Sequence, residues 1–160
     1  MEGFDIAQIC LNGHVVNDST IHYPDHNKDF CDKCGAKTIT HCPHCNDPIR
    51  GRYYMKFVYD ASPFRAPAYC HNCGAPYPWT EAKLNAAKEL AEELERLTEE
   101  ERKILAQSID DLVKESPKTE LAATRVKKLL AKAGKEGARL MLEILKEVAS
   151  ETAKKVLWGN

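Results

Sequence analysis

Cys31-Asp32-Lys33-Cys34-Gly35, Cys42-Pro43-His44-Cys45-Asn46 and Cys70-His71-Asn72-Cys73-Gly74 repeat one pattern: two cysteines, two residues apart, followed by glycine or asparagine. The spacing has a physical basis. Two intervening residues make a tight turn that aims both sulfurs at one point and brings backbone N–H groups to the thiolates. The residue after the second cysteine needs a left-handed backbone, which glycine adopts freely and asparagine tolerates. A fourth half-site, Cys10-Leu11-Asn12-Gly13-His14, sets a cysteine and a histidine across a glycine turn.

Four half-sites make two tetrahedral sets, the arrangement of structural zinc. Taken in order along the chain, the first set is Cys10, His14, Cys31 and Cys34; the second is Cys42, Cys45, Cys70 and Cys73. This predicts two structural Zn2+ per chain, held in small tandem zinc ribbons. A cross-braced pairing, Cys10/His14 with Cys42/Cys45 and Cys31/Cys34 with Cys70/Cys73, also satisfies the spacing. Adjacent half-sites close shorter loops, which favours the sequential pairing. His22 and His26 are rivals of His14, but neither lies in a cysteine–glycine turn. Iron is an alternative metal for the all-cysteine set, since four sulfurs suit either ion.

Both sets fill all four positions, whereas a catalytic zinc keeps one open for water. The chain has no His-x-Glu to pair with its Pro-Cys-x-x-Cys stretch, as a zinc deaminase requires. Nor does a nucleophile triad, phosphate loop or paired-carboxylate context stand out. The expectation is a protein with no catalytic residues that is not an enzyme.

Composition agrees with this reading. Of 160 residues, 23 are Lys or Arg and 24 Asp or Glu, for a net charge of −1, so the basic excess typical of nucleic-acid binders is absent. The opening MEGFDIAQICLNG lacks the positive and apolar regions of a signal peptide, and no run of about 18 apolar residues predicts a membrane span. A cytoplasmic location follows as the expectation. There thiols stay reduced, and an odd count of 7 cysteines also argues against disulfides.

The composition changes at Pro76-Tyr77-Pro78-Trp79. Up to Trp79 lie all 7 Cys, all 6 His and all but one of the 8 Pro. After it, Ala, Leu, Glu and Lys dominate, the strong helix formers. Residues 1–79 therefore read as a double zinc-ribbon module and 80–160 as an α-helical module, an α+β protein in which small hairpins precede a helical bundle or helical hairpins. Thr80 is the expected cap of a first helix, and Thr98 and Glu101 make a capping box for a second. Ser116-Pro117 is the expected start of a third, and one last helix is expected beyond Gly134 and Gly137 through Leu157. Residues 80–115 carry a charge of −5 and residues 116–160 a charge of +5. The halves are expected to face each other; the alternative is a basic binding surface of Lys118, Arg125, Lys127, Lys128, Lys132, Lys135 and Arg139.

Between the knuckles of the second set, Arg52–Tyr59 reads as a hairpin strand and Asp60–Pro63 as its turn. Arg50, Arg52, Tyr53, Tyr54 and Lys56 interleave cations with rings, as in single-strand nucleic-acid binders. The alternative is that the rings fill the core of a small hairpin. Residues 1–79 hold 7 basic and 8 acidic side chains; adding two zinc ions and seven thiolates takes them to −4. That balance favours a protein partner or self-association over nucleic acid. A membrane-lying last helix is disfavoured, because Glu143, Lys146, Glu147 and Glu151 are of mixed sign.

The run Ala7-Gln8-Ile9-Cys10 to His14, Phe30-Cys31 to Gly35, Cys42-Pro43 to Cys45, and Tyr69-Cys70 to Trp79 resembles a bacterial family of uncharacterised proteins, a domain of unknown function. The resemblance covers the first half, through Thr80. It implies a double zinc-binding head with the same eight ligands followed by helices, and no activity. The tail, at Leu121–Arg125 and Val148–Trp158, looks like helical segments of various bacterial proteins, some tied to phage defence. Together these imply a zinc-binding adaptor or interaction protein in a bacterial assembly or defence system, with a nucleic-acid-binding zinc ribbon as the alternative.

Overall fold

A computed structural model describes residues 2–159 and divides the chain into two compact units, Met1–Glu81 and Ala82–Asn160. The protein is α+β. In the first unit, β1 (Gly3–Ile6) pairs antiparallel with β5 (Arg50–Tyr54). A three-stranded sheet has β2 (Gln8–Cys10) at its centre, flanked by β3 (Val15–Asn17) and β4 (Thr38–Ile39). All three residues of β2 are buried. Its position explains why: it carries Ile9 into the core and delivers Cys10 to the end of the central strand of the three-stranded sheet.

The core of this unit is small. Ala7, Ile9, Ile49, Tyr77 and Trp79 are buried together with Cys42 and Cys70, two of the candidate ligands. Tyr77 and Trp79 stack with ring centroids 4.8 Å apart, and the Trp79 indole donates to the Pro67 carbonyl at 2.9 Å. Asp5 sits where the β1–β5 register shifts between Phe4 and Ile6. Its buried carboxylate accepts N–H groups of Ile6 (2.6 Å), Ile21 (2.9 Å) and His22 (3.2 Å), pinning the 19–22 loop to β1. Burial opposes ionisation of Asp5, but these donors and the His22 ring together hold its pKa below the usual range.

The expected hairpin, with Arg52–Tyr59 as a strand and Asp60–Pro63 as its turn, does not form. β5 ends at Tyr54, the chain turns at once through Lys56-Phe57, with Phe57 at φ 64°, and Met55 bridges Val58. The partner of β5 is β1, more than 40 residues earlier, and no local pattern announces so distant a pairing.

Among the described residues five α-helices follow: α1 (Pro78–Glu92), α2 (Glu99–Leu112), α3 (Thr119–Ala133), α4 (Lys135–Leu145) and α5 (Glu151–Trp158). In the second unit α3 is central, packing against α2, α4 and α5. Ala122, Ala123, Val126 and Leu130 of α3 are buried, as are Leu105, Ile109 and Leu112 of α2, each set recurring at three- and four-residue steps along one helix face.

Three helix boundaries differ from expectation. Thr80 does not cap α1, which starts two residues earlier at Pro78; the Thr80 hydroxyl instead donates to the Ala68 carbonyl at 2.9 Å. Ser116 does not cap α3. It and Pro117 form a preceding turn in which Thr119, fully buried, accepts the Ser116 N–H at 2.9 Å. The single last helix is two, because Ser150 accepts the Ala153 N–H at 3.3 Å and restarts the chain as α5.

The capping box at α2 forms as read: the Thr98 hydroxyl accepts the Glu101 N–H at 3.1 Å while the Glu101 carboxylate accepts the Thr98 N–H at 2.9 Å. Thr98→Ala should therefore cost about 1 kcal/mol. In a unit of this size that lowers the helical melting midpoint by roughly 4–8 °C, measurable by circular dichroism.

Candidate metal centres

The three knuckles are built alike. In each, the residue after the second cysteine donates its N–H to the carbonyl of the first: Gly35 to Cys31 (2.7 Å), Asn46 to Cys42 (2.8 Å) and Gly74 to Cys70 (2.9 Å). That closure requires a left-handed backbone, and Gly35, Asn46 and Gly74 have φ of 75°, 62° and 75°. Antiparallel bridges Phe30–Lys37, His41–Pro48 and Tyr69–Pro76 clamp the base of each loop. The Cys10–His14 half-site is the turn between β2 and β3, closed by Gly13 N–H to the Cys10 carbonyl at 2.9 Å. Gly13, at φ 90°, lies where a Cβ would stand 3.0 Å from that of Trp79.

These loops bring the half-sites together in sequential, not cross-braced, pairs. One cluster gathers Cys10, His14, Cys31 and Cys34; the other gathers Cys42, Cys45, Cys70 and Cys73, with all donor atoms of each within 4.8 Å of one another. The cysteines are free, not disulfide-bonded. His22 lies elsewhere, its ring 2.6 Å from the Asp5 carboxylate, and His26 stacks on Tyr23.

Donor spacing fits a tetrahedral zinc ion. Zn–S bonds of about 2.3 Å place two ligand sulfurs about 3.8 Å apart, and a sulfur and an imidazole nitrogen about 3.5 Å apart. Cys10–Cys34, Cys42–Cys73 and Cys45–Cys70 sulfurs are separated by 3.7, 3.8 and 3.7 Å. His14 Nδ1 stands 3.4 Å from the Cys10 sulfur and 3.6 Å from that of Cys31, which identifies Nδ1 as the donor atom.

The electrostatics ask for a cation. The Ala36 N–H, then the Asn12 amide, lower Cys34 to about 6, while burial raises Cys10. In the second cluster, the Cys73 N–H, followed by that of Asn72, lowers Cys70 to about 6. The Ala75 N–H favours the Cys73 thiolate too, yet burial, and after it the sulfurs of Cys45, Cys70 and Cys42, push Cys73 up to about 11. Neighbouring thiolates repel, and a divalent ion removes that penalty. The Tyr77 hydroxyl is buried beside this cluster, and burial followed by the Cys70 sulfur pushes its pKa up.

Two contributors escape a search for cysteine and histidine. The Asn12 amide donates to Cys34 at 3.3 Å and the Asn72 amide to Cys45 at 3.6 Å. Each asparagine lies inside one half-site and reaches a sulfur of the half-site facing it. Such outer contacts fix ligand orientation. The available signal was an asparagine within the turn of one half-site in each set.

The interleaved cations and rings make contacts within the first unit. Arg52 forks onto Asp18 at 3.0 and 2.8 Å and donates to the Asp60 and Ser62 carbonyls. Arg50 lies over the Phe4 ring, Tyr53 meets Phe4 edge-on, Tyr54 stacks on His22, and Lys56 lies over Phe57. On the helices, Lys132 pairs with Glu101 and Arg139 with Glu136, while Lys127 reaches the Val156 carbonyl. The Lys132–Glu101 pair joins a base of the second half to an acid of the first, and Lys83–Glu147 runs the opposite way. Among the described residues, no helix is long and apolar enough to cross a membrane.

A family model described as "Uncharacterized protein conserved in bacteria (DUF2321)" matches residues 3–157. The match extends well beyond the cysteine-rich half and takes in the helices. Neither a curated protein nor a solved structure shows significant similarity to the chain.

Proposed function

The chain belongs to this uncharacterised bacterial family, and from that premise we propose that it is a zinc-stabilised, non-enzymatic protein-interaction protein. The observation that carries the reading is the closure of both clusters. Each presents four soft or imidazole donors at tetrahedral spacing, leaving no position for a reacting water. Zinc here is a folding element, and the ligands Cys10, His14, Cys31, Cys34, Cys42, Cys45, Cys70 and Cys73 shape a surface rather than an active site. Exposed rings on that half, Phe57, Tyr59 and Phe30 among them, give it apolar area to offer a protein. A nucleic-acid role loses its central cation, because Arg52 is already bonded to protein acceptors.

Two measurements test this. Elemental analysis should find about two zinc per chain, as eight ligands in tetrahedral sets require; one zinc, or bound iron, overturns the assignment. Affinity capture on the zinc-loaded protein should recover a defined protein that survives nuclease treatment and is lost with Cys42→Ser. Recovery of nucleic acid alone overturns the interaction role.

A further inference from the structure

Away from the metal centres, a cavity of about 470 Å3 opens between the 17–26 segment and the end of β5. Tyr23, Tyr53, Tyr54 and Tyr59 line it, and Tyr59 is 87% exposed. Two of the rings are braced. Tyr54 stacks on His22 at 4.2 Å and Tyr23 on His26 at 5.8 Å. His22 is itself anchored to the buried Asp5 carboxylate. Four tyrosines gathered at one exposed cleft form an unusual surface for a small soluble unit and mark a binding site.

Charge selects the occupant. Arg52 is the one Lys or Arg in the lining, and its guanidinium is spent on Asp18, Asp60 and Ser62. Two carboxylates, Asp18 and Asp60, thus face a single guanidinium, with the Asp60 side chain 58% exposed. Aromatic faces and an excess of carboxylate both attract cations, and they repel phosphate. Two zinc ions bound by seven thiolates deepen the same bias, bringing residues 1–79 to −4.

We infer that this cleft docks a basic protein segment, seating an arginine or lysine side chain among the tyrosines with its charge against Asp18 and Asp60. The inference rests on the protein-interaction reading above and names the chemistry of the partner.

The test titrates zinc-loaded full-length protein with three capped glycine–serine peptides, bearing two arginines, two lysines or two glutamates at the same places, followed by NMR. The cationic peptides should shift signals of Tyr23, Tyr54, Tyr59 and Asp60, and the glutamate peptide should not. Tyr59→Ala and Asp60→Asn, both at exposed positions, should each weaken cation binding about tenfold while keeping two zinc per chain. Equal binding of all three peptides, shifts confined to the helices, or no shift at millimolar peptide would overturn the inference. So would concentration-dependent self-association that blocks the cleft, which would assign it to a second copy of the chain. If the glutamate peptide alone fills the cleft, the cationic assignment falls and the protein-interaction reading stands. Failure of nuclease-resistant capture removes that reading itself.

Discussion

Chelation of the metal is expected to unfold residues 2–81 and leave the helices of residues 82–159 standing. The apolar core of the first unit is seven buried side chains, two of which, Cys42 and Cys70, are candidate ligands. Strands of two to five residues contribute little by themselves. A structural zinc contributes about 10–16 kcal/mol of apparent binding free energy, more than such a core supplies, so binding and folding become one event. The helical unit holds no ligand and has its own core around α3. The check is amide exchange before and after a strong chelator. Protection should vanish across β1–β5 and persist in α2 and α3. Buried Trp79 should become solvent-exposed by fluorescence, read in a Trp158→Phe background. Uniform loss across both units, or none, would contradict this.

The two clusters should not be equivalent. Cys42 and Cys70 lie inside the hydrophobic core with Ile9, Ile49 and Tyr77, whereas no ligand of the first cluster belongs to that group. Cys42→Ser should therefore unfold the whole first unit, while Cys31→Ser should lose one zinc and loosen mainly the 10–40 segment. Exchange maps of the two variants distinguish the outcomes.

What the sequence made legible follows from the range of each interaction. Knuckle geometry is set within five residues, so the clustered cysteines, the Gly35/Asn46/Gly74 positions and the Thr98 box could be read directly. The β1–β5 pairing could not, because Phe4–Ile6 is a short strand whose partner lies at Arg50–Tyr53. The break between α4 and α5 was hidden for another reason. The apolar period runs unbroken from Met141 through Val148 to Leu157, and tertiary contact decides the interruption: the Ser150 N–H donates to the Leu112 carbonyl at 2.9 Å, and Glu115 accepts from Thr152. The Arg52 fork belongs to the same class, since its acceptor Asp18 is 34 residues away. Knuckle turns and their sequential pairing were readable, and the partners of β5, Ser150 and Arg52 were not.

Gly51→Ala should be among the most damaging single changes outside the ligands. A Cβ at Gly51 would stand 2.2 Å from the Asp18 carbonyl oxygen, 2.9 Å from the Ile6 carbonyl carbon and 3.0 Å from the Ala7 nitrogen. All three are backbone atoms. The Asp18 oxygen is fixed because it accepts the Arg52 N–H at 2.8 Å, and Ala7 donates to the Ile49 carbonyl at 2.8 Å. Relief requires parting β5 from the loop or from β1, at about 3 kcal/mol or more. Two other glycines serve as controls with different physics. Gly35→Ala meets no atom within 4 Å but sits at φ 75°, so it should cost about 1 kcal/mol in backbone strain. Gly137→Ala approaches only the Leu94 Cδ2 end, at 2.6 Å, and that side chain can rotate while the helix gains about 1 kcal/mol in propensity, so it should come out near neutral. Denaturant melts read at Trp79 for the first two and by helical signal for the third give the order. If Gly51→Ala melts with the wild type, Asp18 does not rest over β5, and the Arg52–Asp18 fork beneath the tyrosine cleft loses its footing with it.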